Sequence, residues 1–530
     1  MTTAPARKCP VFVVALLLTR PDGVSGQRVP GGDFRVACQR FAPKQLPNRA
    51  VATSVRFAPD SGDLPPRCVL RGKIVSSPSS TINFRIDLPA PATWNGKTLM
   101  IGGGGFDGVV PTDVYRWQGL LGLMGTSAAA ASTFVVGSTD SGHQGRGAIP
   151  YVDYSWSAGN PTGLRNHASE ANHLVQGTMV GVARAFYGKG PTRRYMFGLS
   201  NGGRQGLMAA QRHPEDYDGI LALAPAISQT AFAANLTPIM RHIYSHPDNY
   251  LDEKQVGLYS AAELTACDGL DGLEDGVIGD YRGCRFDPST LLCKDGSGDG
   301  CLTPGQVETI TMWMGEKRVN APMADGLTGY ARYGPGGPLG DWSFVFGTSF
   351  AGRDAFNFIA AENIVKTVSD DPVASVMRHD PERWPAQYQA NSALIDATSP
   401  DLDRFAARGG KLLVLHGAGD YCVSYERTGQ YYRSVVARTE PERVRGFFRY
   451  YVAPSLGHGL NGAGADSFTL FTALEEWVES GKAPDGPIAT KRDPDGNARY
   501  TRPLCEYGTF PKYLGRGDPS KASSFACAAN

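Results

Sequence analysis

Neither sign of charge gathers into a long run in this sequence, although it carries 52 Lys+Arg and 51 Asp+Glu for a formal net charge of +1. No basic stripe is available to follow a phosphate backbone or an anionic bilayer, so nucleic acid is not an expected partner. No segment is apolar for long enough to cross a bilayer, and stable membrane insertion is not expected. The ten cysteines include no CxxC pair and have no nearby histidine pair, which argues against a cysteine-based zinc site. The pattern GxxxxGK[ST] is also missing, so the glycine run Gly102-Gly103-Gly104-Gly105 is not a phosphate loop. No internal repeat or low-complexity block occurs.

At 530 residues and 42% hydrophobic content the chain is larger than one core usually supports, which predicts one large domain with an insertion, or two domains. Residues 1–26 read as a signal peptide: Arg7 and Lys8, an apolar stretch from Cys9 to Leu18, and small residues up to Gly26. The same segment is also compatible with a disordered tail. Export, to a secreted or periplasmic location, would let the cysteines pair. Cys38, Cys68, Cys267, Cys284, Cys293, Cys301, Cys505 and Cys527 suit four local staples, Cys9 leaves with the signal peptide, and Cys422 has no obvious mate. The simplest reading of Cys422 is a buried thiol.

From Thr81 to Ala226, β-rich runs such as "KTLMIGGGG", "STFVVGSTD", "RYMFGLS" and "GILALAPA" alternate with helical patterns such as "HASEANHLVQGTMVGVARAFYG". This predicts an α/β fold with a mostly parallel sheet. Alternation stops in a Gly-, Pro-, Asp- and Cys-rich segment containing "DWSFVFGTSF", and returns at "KLLVLHGAGD", "GFFRYYVAPSLGHG" and "FTLFTALEEWVES". The expected organisation is a core from 27–226 and 400–530, interrupted by an inserted domain over 227–399. Within the insertion, Asn235-Leu236-Thr237 matches the glycosylation acceptor pattern. Oligomeric state is left open.

Gly198-Leu199-Ser200-Asn201-Gly202 fits G-x-S-x-G, in which a serine sits at a strained strand-to-helix turn between glycines whose side chains would clash. A serine hydroxyl needs a base, and the base needs an orienting carboxylate, in the chain order Ser, Asp, His. Asp420 and His458 follow in that order, each just past an expected strand. Oxyanion donors are expected from the backbone of Asn201 and from the glycine run after "KTLMI". In "CDGLDGLEDGVIGDYRGC", Asp268, Asp271 and Asp275 crowd a glycine-punctuated loop. Oxygen ligands on such a loop suit calcium, though the spacing is not that of an EF-hand and an acidic turn has the same composition.

Together "WNGKTLMIGGGGFDG", "STDSGH", "YMFGLSNGGRQGLMAAQRHPEDYDGILALAPA", "CDGLDGLEDGVI", "LVLHGAGD" and "TRPLCEYG" resemble the tannase and feruloyl esterase family, which includes the mono(hydroxyethyl) terephthalate hydrolases. The resemblance runs from Cys38 to Cys527. It implies a secreted serine esterase with an α/β-hydrolase core, an inserted lid and a structural Ca2+. By motif, Ser200 would be the nucleophile, His458 the base, Asp420 its orienting carboxylate, and Gly105 and Asn201 the oxyanion donors. Asp268, Asp271 and Asp275, with the carbonyls of Leu273 and Val277, would hold calcium. The implied disulfides are Cys38–Cys68, Cys267–Cys284, Cys293–Cys301 and Cys505–Cys527.

One departure from the family pattern stands out. The cysteines that in relatives precede the serine and follow the histidine are here Leu199 and Gly459, so the staple between the catalytic loops is missing; apolar packing of Leu199 is expected to substitute, with a more mobile His458 loop. Aromatics from Trp342 to Phe358 either stack on an aromatic acyl group or form the lid's own core. No arginine aligns convincingly with a substrate carboxylate, Arg353 being the nearest. Phenolic esters, feruloyl or galloyl, are the leading small-molecule substrates; the alternatives are aliphatic, polyester-oligomer or terephthalate monoesters, or a non-catalytic calcium-stabilised binding protein.

Overall fold

A computed structural model describes residues 31–529 except 116–119, 148, 295–297, 299, 317–320 and 339–340. The expected signal peptide and Cys9 lie outside the described residues. Nine strands of the main sheet are β1 (Val51–Ala58), β2 (Arg67–Ser77), β3 (Ser80–Pro89), β4 (Lys97–Ile101), β5 (Val135–Thr139), β6 (Arg193–Leu199), β7 (Gly219–Leu223), β8 (Lys411–Gly417) and β9 (Phe448–Ala453). Their order is β1-β2-β3-β5-β4-β6-β7-β8-β9, with the short strand Cys505–Glu506 beside β9. From β5 through β4, β6, β7 and β8 to β9 every pairing is parallel. β1, β2 and β3 add an antiparallel edge, joined to the rest by β3 against β5.

Central parallel strands are covered on both faces, which is why they read as unbroken apolar runs instead of alternating ones. In β8, Leu412 and Val414 pack to one side with Met100, Met196, Ile220 and the helices Ala171–Tyr187 and Asn201–Arg212. Leu413 and Leu415 pack to the other with Leu99, Phe197, Leu221 and the helix Leu470–Ser480. Each such fully buried side chain contributes about 1.5–3 kcal/mol.

Between β7 and β8 the chain forms helices packed around Leu236, Ile239, Tyr259, Trp313, Trp342, Phe346, Phe358 and Ile364, a core that also takes in Phe106, Tyr154 and Tyr421 from loops after the sheet strands. It leaves and rejoins the sheet at adjacent points, because Ala397 N donates to Ile227 O at 2.7 Å. Asn235 is only 2% exposed inside the helix Gln229–Ile243. The acceptor pattern there is therefore a buried helical segment and not an accessible glycosylation site. All four expected disulfides are present: Cys38–Cys68, Cys267–Cys284, Cys293–Cys301 and Cys505–Cys527. Cys422 is buried and outside them. Among the described residues, no helix is long and apolar enough to cross a membrane.

Candidate active site

Parallel strands all end at the same edge of a sheet, and loops following them converge there. Ser200 follows β6, Asp420 follows β8, His458 follows β9 and the glycine run follows β4. Ser200 adopts φ 60°, ψ −120°, a conformation that costs a non-glycine residue on the order of 1–3 kcal/mol. Hydrogen bonds hold it there: Ser200 N donates to Leu223 O at 2.9 Å, and Ala226 N donates to Ser200 O at 3.0 Å. The flanking glycines are steric necessities. A Cβ on Gly198 would lie 2.4 Å from Gly202 C, and one on Gly202 would lie 2.6 Å from Gly103 O.

The Asp420 carboxylate is fully buried and accepts four hydrogen bonds. Cys422 N and Val423 N donate to Oδ1 at 2.8 and 2.9 Å. Oδ2 meets His458 Nδ1 at 2.7 Å and His416 Nε2 at 3.1 Å. Burial alone would raise its pKa, but the His458 charge and the hydrogen bonds from His416 and His458 overcome it and hold the carboxyl well below the ordinary value. For His458 the balance runs the other way: burial lowers the imidazole, while Asp420 and then Asp341 raise it above its ordinary value. Asp341 comes from the inserted segment, and its carboxylate accepts from His458 N at 3.4 Å and from Asn461 Nδ2 at 3.3 Å. His416 and Asp341 are two participants that motif reasoning missed. His416 was visible in "LLVLHGAGD"; Asp341 had no local signal.

Gly105 has φ +56°, and a Cβ there would sit 2.5 Å from Tyr151 O, so only glycine fits. As the first residue of the helix Asn201–Arg212, Asn201 has an N–H that the helical ladder leaves unused. Behind both lies a buried polar network. Asn201 Oδ1 accepts from Arg204 Nε at 2.7 Å and Gln229 Nε2 at 3.1 Å, while Asn201 Nδ2, Gln205 Nε2 and Ser141 Oγ all donate to Asp107. Burial pushes the Asp107 carboxyl up to about 7 against the opposing Arg204 charge, and draws Arg204 down to about 10. Apart from Gln229 Oε1, these buried groups are paired with one another, and the network holds the turn after Ser200.

The model of a family described as "Tannase and feruloyl esterase" matches residues 68–528. The chain belongs to the tannase and feruloyl esterase family. It is an esterase, 30% identical over 533 residues to the mono(2-hydroxyethyl) terephthalate hydrolase of Piscinibacter sakaiensis, with 88% of this chain and 85% of that one covered. It is 26% identical to a probable feruloyl esterase B-1 of Aspergillus terreus, covering 87% and 86%. Feruloyl esterase B from Aspergillus oryzae superposes with a TM-score of 0.79 at 25% identity, over 93% of this chain and 100% of the other. Tannin acyl hydrolase from Aspergillus niger shares the fold at TM-score 0.70 and 20% identity, over 93% and 94%.

In this esterase, the residues expected to bind calcium lie on the loop closed by Cys267–Cys284. Asp268 accepts from Gly276 N at 2.9 Å and Val277 N at 3.1 Å; Asp275 Oδ1 accepts from Val277 N at 3.1 Å and its Oδ2 faces Arg502. Asp271 is 3% exposed and accepts from Leu273 N at 3.0 Å. Burial, reinforced by the charges of Asp275 and Asp268 and opposed by the Leu273 amide and the Arg502 charge, pushes its carboxyl up to about 7. Asp271, Val277, Gly279, Tyr500 and Arg502 line a small cavity beside it. Among the described residues, the three carboxylates do not bring one oxygen each within 4.8 Å of the others. Hard oxygen donors, a buried under-compensated carboxylate and an adjoining cavity suit calcium chemically. The loop also reaches the histidine loop, since Ile278 N donates to Ser455 Oγ at 2.9 Å.

Leu199, in place of the family cysteine, is 6% exposed within the sheet's second core. Gly459 is exposed, and a Cβ there would meet only Asn461 side-chain atoms at 3.6 and 3.9 Å. Of the expected aromatics, Trp342, Phe346 and Phe358 belong to the inserted segment's core. Phe344 and Phe356 are half-buried and stack at 4.3 Å, and Phe356 in turn stacks at 5.8 Å on Phe106, the residue after Gly105. Arg353 is exposed and lies over the Tyr244 ring.

Proposed function

We propose that this esterase is an exported serine hydrolase of aromatic, phenolic acyl esters such as feruloyl or galloyl esters. The observation that carries the reading is the strained Ser200 turn at the same sheet edge as the buried Asp420–His458 pair. Ser200 Oγ attacks the ester carbonyl while His458 takes its proton, and Asp420 holds the ring with Nδ1–H toward itself. Backbone N–H groups of Gly105 and Asn201 receive the oxyanion. The protonated His458 then gives its proton to the departing alcohol, leaving an acyl-Ser200 ester. Water attacks that ester with His458 again as base, and the acid leaves as Ser200 regains its proton.

The half-buried Phe344 and Phe356, stacked in turn on the buried Phe106 of the oxyanion loop, favour a planar aromatic acyl group. The inserted segment then acts as a lid supplying both Phe356 and Asp341. Asp268, Asp271 and Asp275, with the carbonyls of Leu273 and Val277, would hold a structural calcium ion, which supplies positive charge to a buried acidic loop tied to Ser455. Four disulfides and the leader-like residues 1–26 support export.

The test is hydrolysis of methyl ferulate, methyl gallate, a terephthalate monoester and p-nitrophenyl butyrate by wild type and Ser200→Ala. The expected result is Ser200-dependent turnover, fastest on the phenolic esters. Turnover that survives Ser200→Ala, or none by folded calcium-loaded protein, overturns the mechanism; preference for butyrate overturns the substrate class.

A further inference from the structure

Residues three apart on a helix or in one turn share a face. Glu170 and His173 form such a pair at the start of the helix Ala171–Tyr187, where Glu170 is the N-cap residue. His213 and Asp216 form another. His213 caps the C-terminal end of the helix Asn201–Arg212, and Asp216 N donates to His213 O at 3.0 Å. The fold sets these two pairs against each other crosswise. His173 Nδ1 lies 2.8 Å from Asp216 Oδ2, and His213 Nε2 lies 3.5 Å from Glu170 Oε1. The two imidazoles stack with centroids 4.1 Å apart and planes at 15°. His173, His213 and Asp216 each offer a ligand atom, all within 4.8 Å of one another. Side-chain exposures are 34% for His173, 14% for His213 and 10% for Asp216, while Glu170 at 43% stands at the open side of the group.

His173, His213 and Asp216 supply three clustered donors, and Glu170 Oε1, 3.5 Å from His213 Nε2, is placed to swing in as the fourth of a tetrahedral set for a borderline divalent ion. Calcium, which takes 6–8 oxygens, is poorly served by it. We infer that Glu170, His173, His213 and Asp216 form a second cation site, for a divalent transition ion of the zinc class. It would clamp the start of one helix to the end of the helix whose other end carries Ser200. With zinc about 2.0–2.2 Å from each donor, tetrahedral neighbours stand about 3.3–3.5 Å apart, so the 2.8 Å His173–Asp216 pair would open and one of the two stacked imidazoles would turn out of the stack to aim its nitrogen at the ion. The site lies outside the proposed ester chemistry, and its test does not depend on that chemistry.

Zn2+ binding is measured by titration calorimetry on the full chain in excess calcium, with Co2+ as a visible-absorption reporter. The Asp420, Cys422 and His458 group also brings three ligand atoms within 4.8 Å, so Cys422→Ser is measured in parallel. The expected result is one Zn2+ per chain and a Tm raised by a few degrees, both kept in Cys422→Ser and lost in the His173→Gln, His213→Gln double variant. Asp216→Asn, nearly the same size, reads the site without removing an imidazole and should weaken Zn2+ about tenfold or more. No stoichiometric binding at sub-millimolar Zn2+ overturns the site. So does binding unchanged in both His173→Gln, His213→Gln and Asp216→Asn, or abolished by Cys422→Ser alone.

Discussion

Replacing Asp420 by Asn removes one charge from a fully buried position and leaves the shape almost unchanged. The carboxylate there accepts from two backbone amides through Oδ1, at 2.8 and 2.9 Å, and meets two imidazoles through Oδ2, at 2.7 and 3.1 Å. An asparagine keeps its oxygen on the Cys422 and Val423 amides, because the alternative points its NH2 at two donors. Its NH2 then faces His458 Nδ1 and His416 Nε2. His458 is forced to accept at Nδ1 and carry its proton on Nε2, where it no longer accepts from a serine hydroxyl. Loss of the correct tautomer is typically worth about 10⁴ in turnover, or about 5 kcal/mol of transition-state stabilisation. Loss of two charge-assisted hydrogen bonds should lower folding stability by roughly 3 kcal/mol as well. kcat on methyl ferulate and urea denaturation of Asp420→Asn measure the two effects separately. Asp341→Asn is the control, since Asp341 touches the His458 backbone and should cost less than about tenfold if it only tunes the ring's charge. A folded Asp420→Asn enzyme retaining a tenth of wild-type activity would refute the orienting role, and an Asp341→Asn variant that falls further would transfer it to the lid carboxylate.

The pH dependence of kcat/KM follows from the same groups. His458 must be neutral to act as base, and Asp420 and Asp341 raise its pKa against the lowering effect of burial. Activity therefore falls as pH drops through a value above the ordinary histidine pKa of about 6.5, and Asp341→Asn moves that acid limb to lower pH; a limb at or below the ordinary value contradicts the assignment. Gly105→Ala puts a Cβ 2.5 Å from Tyr151 O at a φ of +56°, so kcat should fall about 10²-fold or more while the nucleophile remains titratable by a fluorophosphonate probe. Stripping calcium with EGTA should lower Tm, and Asp271→Asn should make Tm insensitive to EGTA; equal responses of wild type and variant would disprove the loop's role. The pair Leu199→Cys with Gly459→Cys should raise Tm once the bridge is verified by mass spectrometry, and an unchanged or lower Tm counts against a histidine loop left more mobile by the missing bridge.

Much of the catalytic edge is legible in the sequence because its signals are local. Burial on both faces makes β6, β7 and β8 continuous apolar runs, and a strained turn that tolerates no side chain next to it leaves Gly198 and Gly202 as its trace. Strand endings therefore mark Ser200, Asp420 and His458 directly. What only the tertiary structure decides is the set of contacts between distant segments, where no spacing rule applies. It brings Asp341 from the inserted segment to His458 and buries Asp107 against Asn201 and Gln205. It turns Asn235 inward along a helix whose surroundings the acceptor pattern does not encode. It buries Trp342, Phe346 and Phe358 in the inserted segment's core and leaves Phe344 and Phe356 half-buried at its margin, a difference that their shared aromatic character does not encode. Glu170-x-x-His173 and His213-x-x-Asp216 are unremarkable apart. Their crossing depends on how two helices pack on one sheet face, which neither segment specifies alone.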